Sequence, residues 1–246
     1  MKLSVVIPVR NEEKGIRPVA VRLIDRLTKA GMEYEIIIVN DKSTDSTPFV
    51  IDAIASQFPV VRVTSSPQPY GFGIAIRKGF EVMTGDAVVV YMGDGSDHPD
   101  DVVAYYEKLA AGYDCAFGSR FIRGGSVSGY PWIKLFLNRV GNKIIQVLFF
   151  LPYNDVSNAF KGYRVEVIRA VQPLVSQYFN ITVEIPLKAI VRGFSYAVVP
   201  IHWNGRESGV SKYNIRDLSR KYFFSIFFVW LEKMLLKEEL KFKKKE

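Results

Sequence analysis

The sequence predicts an α/β fold, a mostly parallel β-sheet with helices on both faces. Three observations carry this. Short β-branched runs alternate with longer segments of helical period. The apolar runs are continuous, as expected for strands buried on both faces. The polar residues able to do chemistry fall just after these runs, where such sheets bind ligands beyond the carboxyl ends of their strands.

In chain order, strands are expected over residues 3–9, 34–39, 60–64, 87–91, 114–117 and 195–201. Helices are expected between them, over 12–30, 48–58, 73–83 and 99–111. Pro48 follows Ser46 and Thr47, and Pro99 follows Asp97, which suits helix starts with a cap and then a proline. Segment 222–231 lies between Lys221 and Glu232 and reads as an amphipathic helix. Such a helix is about 15 Å long, half of a roughly 30 Å hydrocarbon core, so it cannot span a bilayer. The expected organisation is one large domain over 1–213, then a helix and a Lys-rich tail over 214–246.

Composition narrows the function classes. A chain of 246 residues buries a core without staples, and its single cysteine, Cys115, excludes an internal disulfide scaffold. Two histidines and one cysteine are too few for a structural zinc site. The 33 basic and 25 acidic residues give a net charge of +8, which calls for an anionic partner: nucleic acid, an anionic membrane or a phosphorylated substrate. The first apolar run is too short and too early for a signal peptide, and no stretch reaches the length of a membrane span. A cytoplasmic protein is expected, peripheral at the inner face of the membrane.

The strand ends carry the chemistry. After the first strand comes Pro8-Val9-Arg10-Asn11-Glu12, and after the second Asn40-Asp41-Lys42-Ser43-Thr44-Asp45-Ser46-Thr47. After the fourth comes Gly93-Asp94-Gly95-Ser96-Asp97-His98-Pro99. Carboxylates gathered at one edge repel one another unless a cation or hydrogen-bond donors sit there. Asp94 and Asp97, three apart in a glycine-loosened turn, can both face one Mg²⁺ or Mn²⁺ ion, which prefers oxygen ligands and substrate phosphates. Asp45 fits a turn former, His98 a turn residue, and Glu184 either a helix N-terminal charge or a site residue. The stretch around Gly71 and Gly73 does not follow the first strand, so it is no dinucleotide loop, and GxxxxGK[ST] is absent.

Taken together, these strand ends resemble the glycosyltransferase family 2 enzymes of GT-A fold, in the branch that transfers sugars to polyprenyl phosphates. The motifs run in the family's order: VVIPVRNE, VNDKSTDST, GFGIAIRKGF, MGDGSDHPDD, GSRFIRGG, NAFKGYR, TVEIPLKAIVRG and WNGRESGVSK. The resemblance implies a nucleoside site at Pro8, Arg10, Glu12, Val39 and Asp41. It puts Asp94 and Gly95 against the donor, with Asp94 and Asp97 as metal ligands and the third ligand open. Lys188, Arg206 and Lys212 would face the donor diphosphate and the transferred sugar, and Arg120 and Arg139 would hold the acceptor phosphate. Asn40, Lys42 and Arg10 depart from the family's usual residues, which leaves the choice between GDP-mannose and a UDP-sugar open.

The implied reaction is metal-dependent, inverting sugar transfer from a nucleotide-sugar to a polyprenyl or dolichyl phosphate. The alternative is a family 2 enzyme with a soluble or polysaccharide hydroxyl as acceptor. A nucleotidyltransferase should carry a basic, Gly-rich loop after its first strand, where this chain is acidic. No nucleic-acid-binding motif stands out, so no nucleic acid is expected as partner. Aromatic residues between 222 and 230 followed by lysines suit either an interfacial helix at anionic lipid or packing on protein.

Overall fold

The computed structural model describes the backbone of residues 1–205 and 215–243 and the side chains of 1–205 and 219–236. Strands β1 (Leu3–Val9), β2 (Tyr34–Asn40), β3 (Val61–Ser65), β4 (Ala87–Val90), β5 (Cys115–Ser119), β7 (Lys161–Arg164) and β8 (Tyr196–Pro200) form one sheet in the order β3-β2-β1-β4-β7-β5-β8. All are parallel except β7, which runs antiparallel to both β4 and β5. A second, two-stranded sheet pairs β6 (Ser126–Ser128) with β9 (His202–Asn204).

The helices are α1 (Ile16–Lys29), α2 (Thr47–Gln57), α3 (Phe72–Val82), α4 (Pro99–Ala110), α5 (Trp132–Phe149), α6 (Val165–Ala170), α7 (Ile181–Val191) and α8 (Ile215–Lys243). Alternation along β1 splits the core in two. Leu3, Val5, Ile7 and Val9 pack with α1, α2 and α4 on one face, and Val6 packs with α3, α7 and α8 on the other. At Gly79 of α3 a Cβ would lie 2.3 Å from the Val6 side chain, so the helix sits against the sheet only because that position has none.

The expected strands and the first four helices are present, with end shifts of a few residues. The cap of α4 is not Asp97: His98 takes that place, its Nδ1 accepting the Asp100 N–H at 3.3 Å. β7 lies in the middle of the sheet, and sequence reading missed it. Because it is antiparallel, it starts at the edge where β4 and β5 end, so the loop before it arrives there too.

α8 packs one face inward. Val229 is fully buried, Ser225 joins Ser176 and Asn180, and Trp230 and Tyr222 lie on the α7 side of the core. Its other face exposes Phe223, Phe224, Phe227 and Phe228. The helix therefore both packs on the protein and leaves an aromatic face outward. No helix among the described residues is long and apolar enough to cross a membrane.

Candidate active site at the strand ends

Two loops are stitched together at the ends of β1 and β2. Asn11 adopts a left-handed conformation, φ 57°, which Asn tolerates better than most side chains. Its N–H donates to Ser43 Oγ at 3.0 Å, and its Oδ1 accepts the Thr44 N–H at 2.7 Å. The Glu12 N–H donates to Thr47 Oγ1 at 2.8 Å. Arg10 is exposed and Glu12 half-buried at this edge. Asp41 Oδ1 accepts the Ser66 hydroxyl at 2.9 Å and the Gly71 N–H at 3.0 Å, tying β2 to the start of α3.

Two of the residues expected at the nucleoside site have their side chains in the core. Val39 is fully buried and belongs to the core beneath α3, and Pro8, its register partner in β1, is buried too. The side chains of these two form the floor of this edge. Arg10 is exposed above it, Glu12 is half-buried, and Asp41 is itself buried.

Asp94 and Asp97 follow β4. Asp94 Oδ1 accepts the Ser96 N–H at 3.1 Å and the Ser96 hydroxyl at 2.6 Å, across a turn in which Gly95 has φ +77°. Asp97 Oδ2 accepts the Met92 N–H at 3.0 Å. Both residues are buried. Burial, and next the Asp94 charge, push the Asp97 carboxyl up to about 8, and Arg120 is near enough to pull it back in part. Asp101, one turn into α4, is buried as well, but the His202 N–H bonds it at 2.9 Å.

The Asp94–Asp97 pair fits a hard divalent cation. Burial and the neighbouring Asp94 charge raise the Asp97 carboxyl, and a cation would relieve it. No group of three or more His, Cys, Asp or Glu able to hold a metal forms among the described residues, and a Mg²⁺ or Mn²⁺ ion commonly completes its shell with substrate oxygens or water.

Arg120 and Arg139 come together around one ring. Arg120 leaves β5 and lies 5.1 Å from the Phe121 centroid, and Arg139 of α5 lies 4.2 Å from it. Arg139 Nη1 donates to the Asn154 carbonyl at 3.2 Å. Arg120 is buried and forms a bidentate pair with Asp155 (Nε to Oδ2 at 2.8 Å, Nη2 to Oδ1 at 2.7 Å). Burial alone would lower the guanidinium, but Asp155 outweighs it and holds Arg120 charged.

Lys188 is not at this edge. It is buried one turn beyond Glu184 on α7, with Nζ 3.2 Å from Glu184 Oε1 and bonded to the Val171 and Pro173 carbonyls. Glu184 in turn accepts the Val175 and Ser176 N–H groups, each at 2.8 Å. The pair clamps the 171–177 segment to α7, so the expected contact of Lys188 with the donor diphosphate is overturned. Arg206 and Lys212 lie outside the described residues. Asp45 holds the start of α2 through the Thr47 N–H and hydroxyl.

Two residues that sequence reading missed sit here. One is Asp155. The other is Lys161, whose buried Nζ donates to the Val156, Asn158 and Thr182 carbonyls. Burial pulls the Lys161 ammonium down to about 7, with the Asp155 charge opposing.

Comparison with known proteins follows the same lines. The model of the family described as "Glycosyl transferase family 2" matches residues 4–172. The polyprenol monophosphomannose synthase of Mycolicibacterium smegmatis is 32% identical over 222 residues, covering 87% of this chain and 82% of that protein. The dolichol-phosphate mannosyltransferase of Pyrococcus furiosus is 30% identical over 216 residues, or 86% of this chain. This chain spans 59% of the length of that second relative. Among solved structures, glucosyl-3-phosphoglycerate synthase from Mycobacterium tuberculosis, in complex with Mn²⁺, uridine diphosphate and phosphoglyceric acid, has TM-score 0.69 at 19% identity. The match covers 93% of this chain and 78% of that one. The same enzyme with Mg²⁺ and uridine diphosphate also has TM-score 0.69. At this identity the likeness shows the fold, which is GT-A-like.

Proposed function

The chain belongs to glycosyl transferase family 2 and is a glycosyltransferase, and from that premise we propose that it transfers a sugar from a nucleotide-sugar to a polyprenyl phosphate. The observation that carries this reading is the meeting, at one sheet edge, of the Asp94–Asp97 turn with the Arg120–Arg139 pair. The names of the two relatives, a polyprenol monophosphomannose synthase and a dolichol-phosphate mannosyltransferase, favour mannose as the sugar.

The reaction breaks the bond between the anomeric carbon and the nucleoside diphosphate and forms one to the acceptor phosphate oxygen. Arg10, Glu12 and Asp41 would hold the nucleoside, with Gly95 against the donor. Asp94 and Asp97 would hold a Mg²⁺ or Mn²⁺ ion, which supplies charge neutralisation for the leaving diphosphate. Arg206 and Lys212 would face the diphosphate. A phosphate acceptor is already an anion near neutral pH, so it needs cations to orient it and no general base to activate it. Arg120 and Arg139 supply those cations, since a guanidinium can bind phosphate bidentately. Attack from the face opposite the leaving group inverts the anomeric centre.

A lipid acceptor requires a membrane surface. The aromatic face of α8 and the exposed Trp132, Phe136 and Val140 of α5 are apolar surfaces suited to one, and the excess of cations suits anionic lipid. The protein would then act peripherally at the inner face of the membrane.

The test incubates the purified chain with a short polyprenyl phosphate, Mn²⁺ and labelled GDP-mannose or UDP-sugars in turn, and counts label extracted into organic solvent. Extraction with one donor, abolished by EDTA, is the expected result and names the donor. Nucleotide binding without extraction from any donor would overturn the lipid acceptor and favour a hydroxyl acceptor.

A further inference from the structure

Between Asp114 and Glu166 the chain carries seven Lys or Arg residues and one acid, Asp155. That acid is fully buried. It receives three N–H groups from one residue: the Arg120 backbone N–H at 3.1 Å, Nε at 2.8 Å and Nη2 at 2.7 Å. The other cations at the site bond elsewhere. Lys161 donates to three backbone carbonyls, two of them in the loop that carries Asp155, and Arg139 donates to the Asn154 carbonyl. The loop is also held from outside: Ser157 N–H donates to Asn142 Oδ1 of α5 at 3.0 Å, and Ser157 Oγ accepts from both Asn138 and Asn142.

A buried ion pair gives little net stability compared with apolar residues of the same volume. What a bidentate pair does give is a fixed orientation. Asp155 takes the Nε and Nη2 side of the guanidinium, and among the described residues Nη1 has no hydrogen-bond partner. The Tyr130 and Phe121 rings limit its tilt, at 5.8 and 5.1 Å from the guanidinium carbon.

We propose that Asp155 is the positioning residue of the acceptor site: it fixes the Arg120 guanidinium so that Arg120 and Arg139, both against Phe121, form a rigid two-arginine seat for the phosphate of a polyprenyl phosphate. This rests on the reading above that these arginines take the acceptor phosphate. Asp155 touches no substrate and acts through Arg120.

The experiment titrates the full chain with a short-chain polyprenyl phosphate, and separately with GDP and UDP in Mn²⁺, reading tryptophan fluorescence. Trp203 packs on Tyr130, which lies against Arg120, so an indole reports on the seat. Asp155→Asn should weaken the lipid phosphate roughly 10-fold, a shift of one decade in Kd. Nucleotide affinity should change less than about twofold. Asp155→Glu keeps the charge and displaces the guanidinium by about the length of one C–C bond. It should fold and still weaken the lipid phosphate severalfold, which covers the case in which the Asn variant fails to fold. In the double variant Arg120→Gln/Asp155→Asn, binding should be no weaker than in Arg120→Gln alone, because a residue acting through Arg120 has nothing left to act on.

Wild-type lipid-phosphate affinity in both Asp155 variants overturns the proposal and leaves the acceptor reading standing. So does a joint loss of lipid phosphate and nucleotide with a lowered melting midpoint, which marks a merely structural role. If the wild-type chain binds nucleotide but shows no saturable binding of the lipid phosphate, the acceptor reading falls and the proposal with it.

Discussion

The two edges of the central sheet each bury carboxylates, and they treat them in opposite ways. At the edge where the strands begin, Glu35 of β2 accepts the Ser4 hydroxyl at 2.8 Å, the Thr84 N–H at 2.6 Å, the Thr84 hydroxyl at 2.9 Å and Arg62 Nη1 at 2.9 Å. Burial works to raise its pKa, yet these four bonds, Thr84 N–H foremost, win and hold it low. At the edge where the strands end, Asp97 receives one backbone N–H and faces Asp94, and burial with that charge takes it up to about 8. The same chemical group is saturated with donors at one edge and set against a like charge at the other. The first arrangement holds the sheet together. The second leaves a buried carboxyl with a raised pKa, as the proposed metal site would use.

Breaking the strand-end pair should give the largest effect. Asp94→Asn and Asp97→Asn should each lower sugar transfer by at least about 100-fold, in line with losing a group that stabilises transition-state charge. Asp97→Asn should not lower stability in urea melts without metal, because burial and the Asp94 charge already favour the neutral carboxyl, which the amide resembles. An Asp97→Asn protein that melted earlier and kept its transfer rate would place that carboxylate with Glu35 and erase the distinction.

Glu35→Gln should do the reverse. It should cost about 1–3 kcal/mol of stability, the range for a buried hydrogen-bonded carboxylate left partly unsatisfied, and leave transfer by the folded protein unchanged. The pH dependence has a definite sign. A carboxylate whose folded pKa is lowered contributes stability that is fully present above its unfolded pKa, about 4.3, and is lost as pH falls through the folded value. The gap in urea midpoint between wild type and Glu35→Gln should therefore be constant from pH 8 to about 6 and shrink below about pH 4.5. A gap that widened on acidification would contradict the assignment.

Sequence reading reached the strand-end edge and not the strand-start one. β1, β2, β4 and β5 announce themselves as continuous apolar runs, and the polar residues after them could be read as a set. β7, KGYR, is four residues with two cations, and nothing local marks it as central. It is a strand because β4 and β5 leave a gap whose edges it satisfies with antiparallel pairing. Lys188 was misread for a related reason. The family resemblance placed it at the donor diphosphate, while its buried partner, Glu184, is visible only as a spacing of four on a helix. Val39 was placed in the site by the family resemblance, and the structure buries its side chain in the core. Asp155 had a signal, a lone acid in a cationic stretch, but its meaning depends on Arg120, 35 residues earlier.

His98 gives the finest test of the comparison, because it adjoins Asp97 in the same turn. Its ring is half-exposed, its Nδ1 accepts the Asp100 N–H at 3.3 Å, and it thereby caps α4. That is a strand-start kind of role at the strand-end edge: a donor satisfied by an acceptor. His98→Ala should cost about 0.5–1 kcal/mol, the lower part of the range for losing an N-cap, and His98→Ser should recover most of it. Transfer should stay within about twofold in both, against the loss of at least about 100-fold at Asp97. Should His98→Ala instead stop transfer while melting like wild type, the imidazole would be acting on substrate. The division would then run through the turn by reach into the cleft rather than by which polar groups the fold has already satisfied.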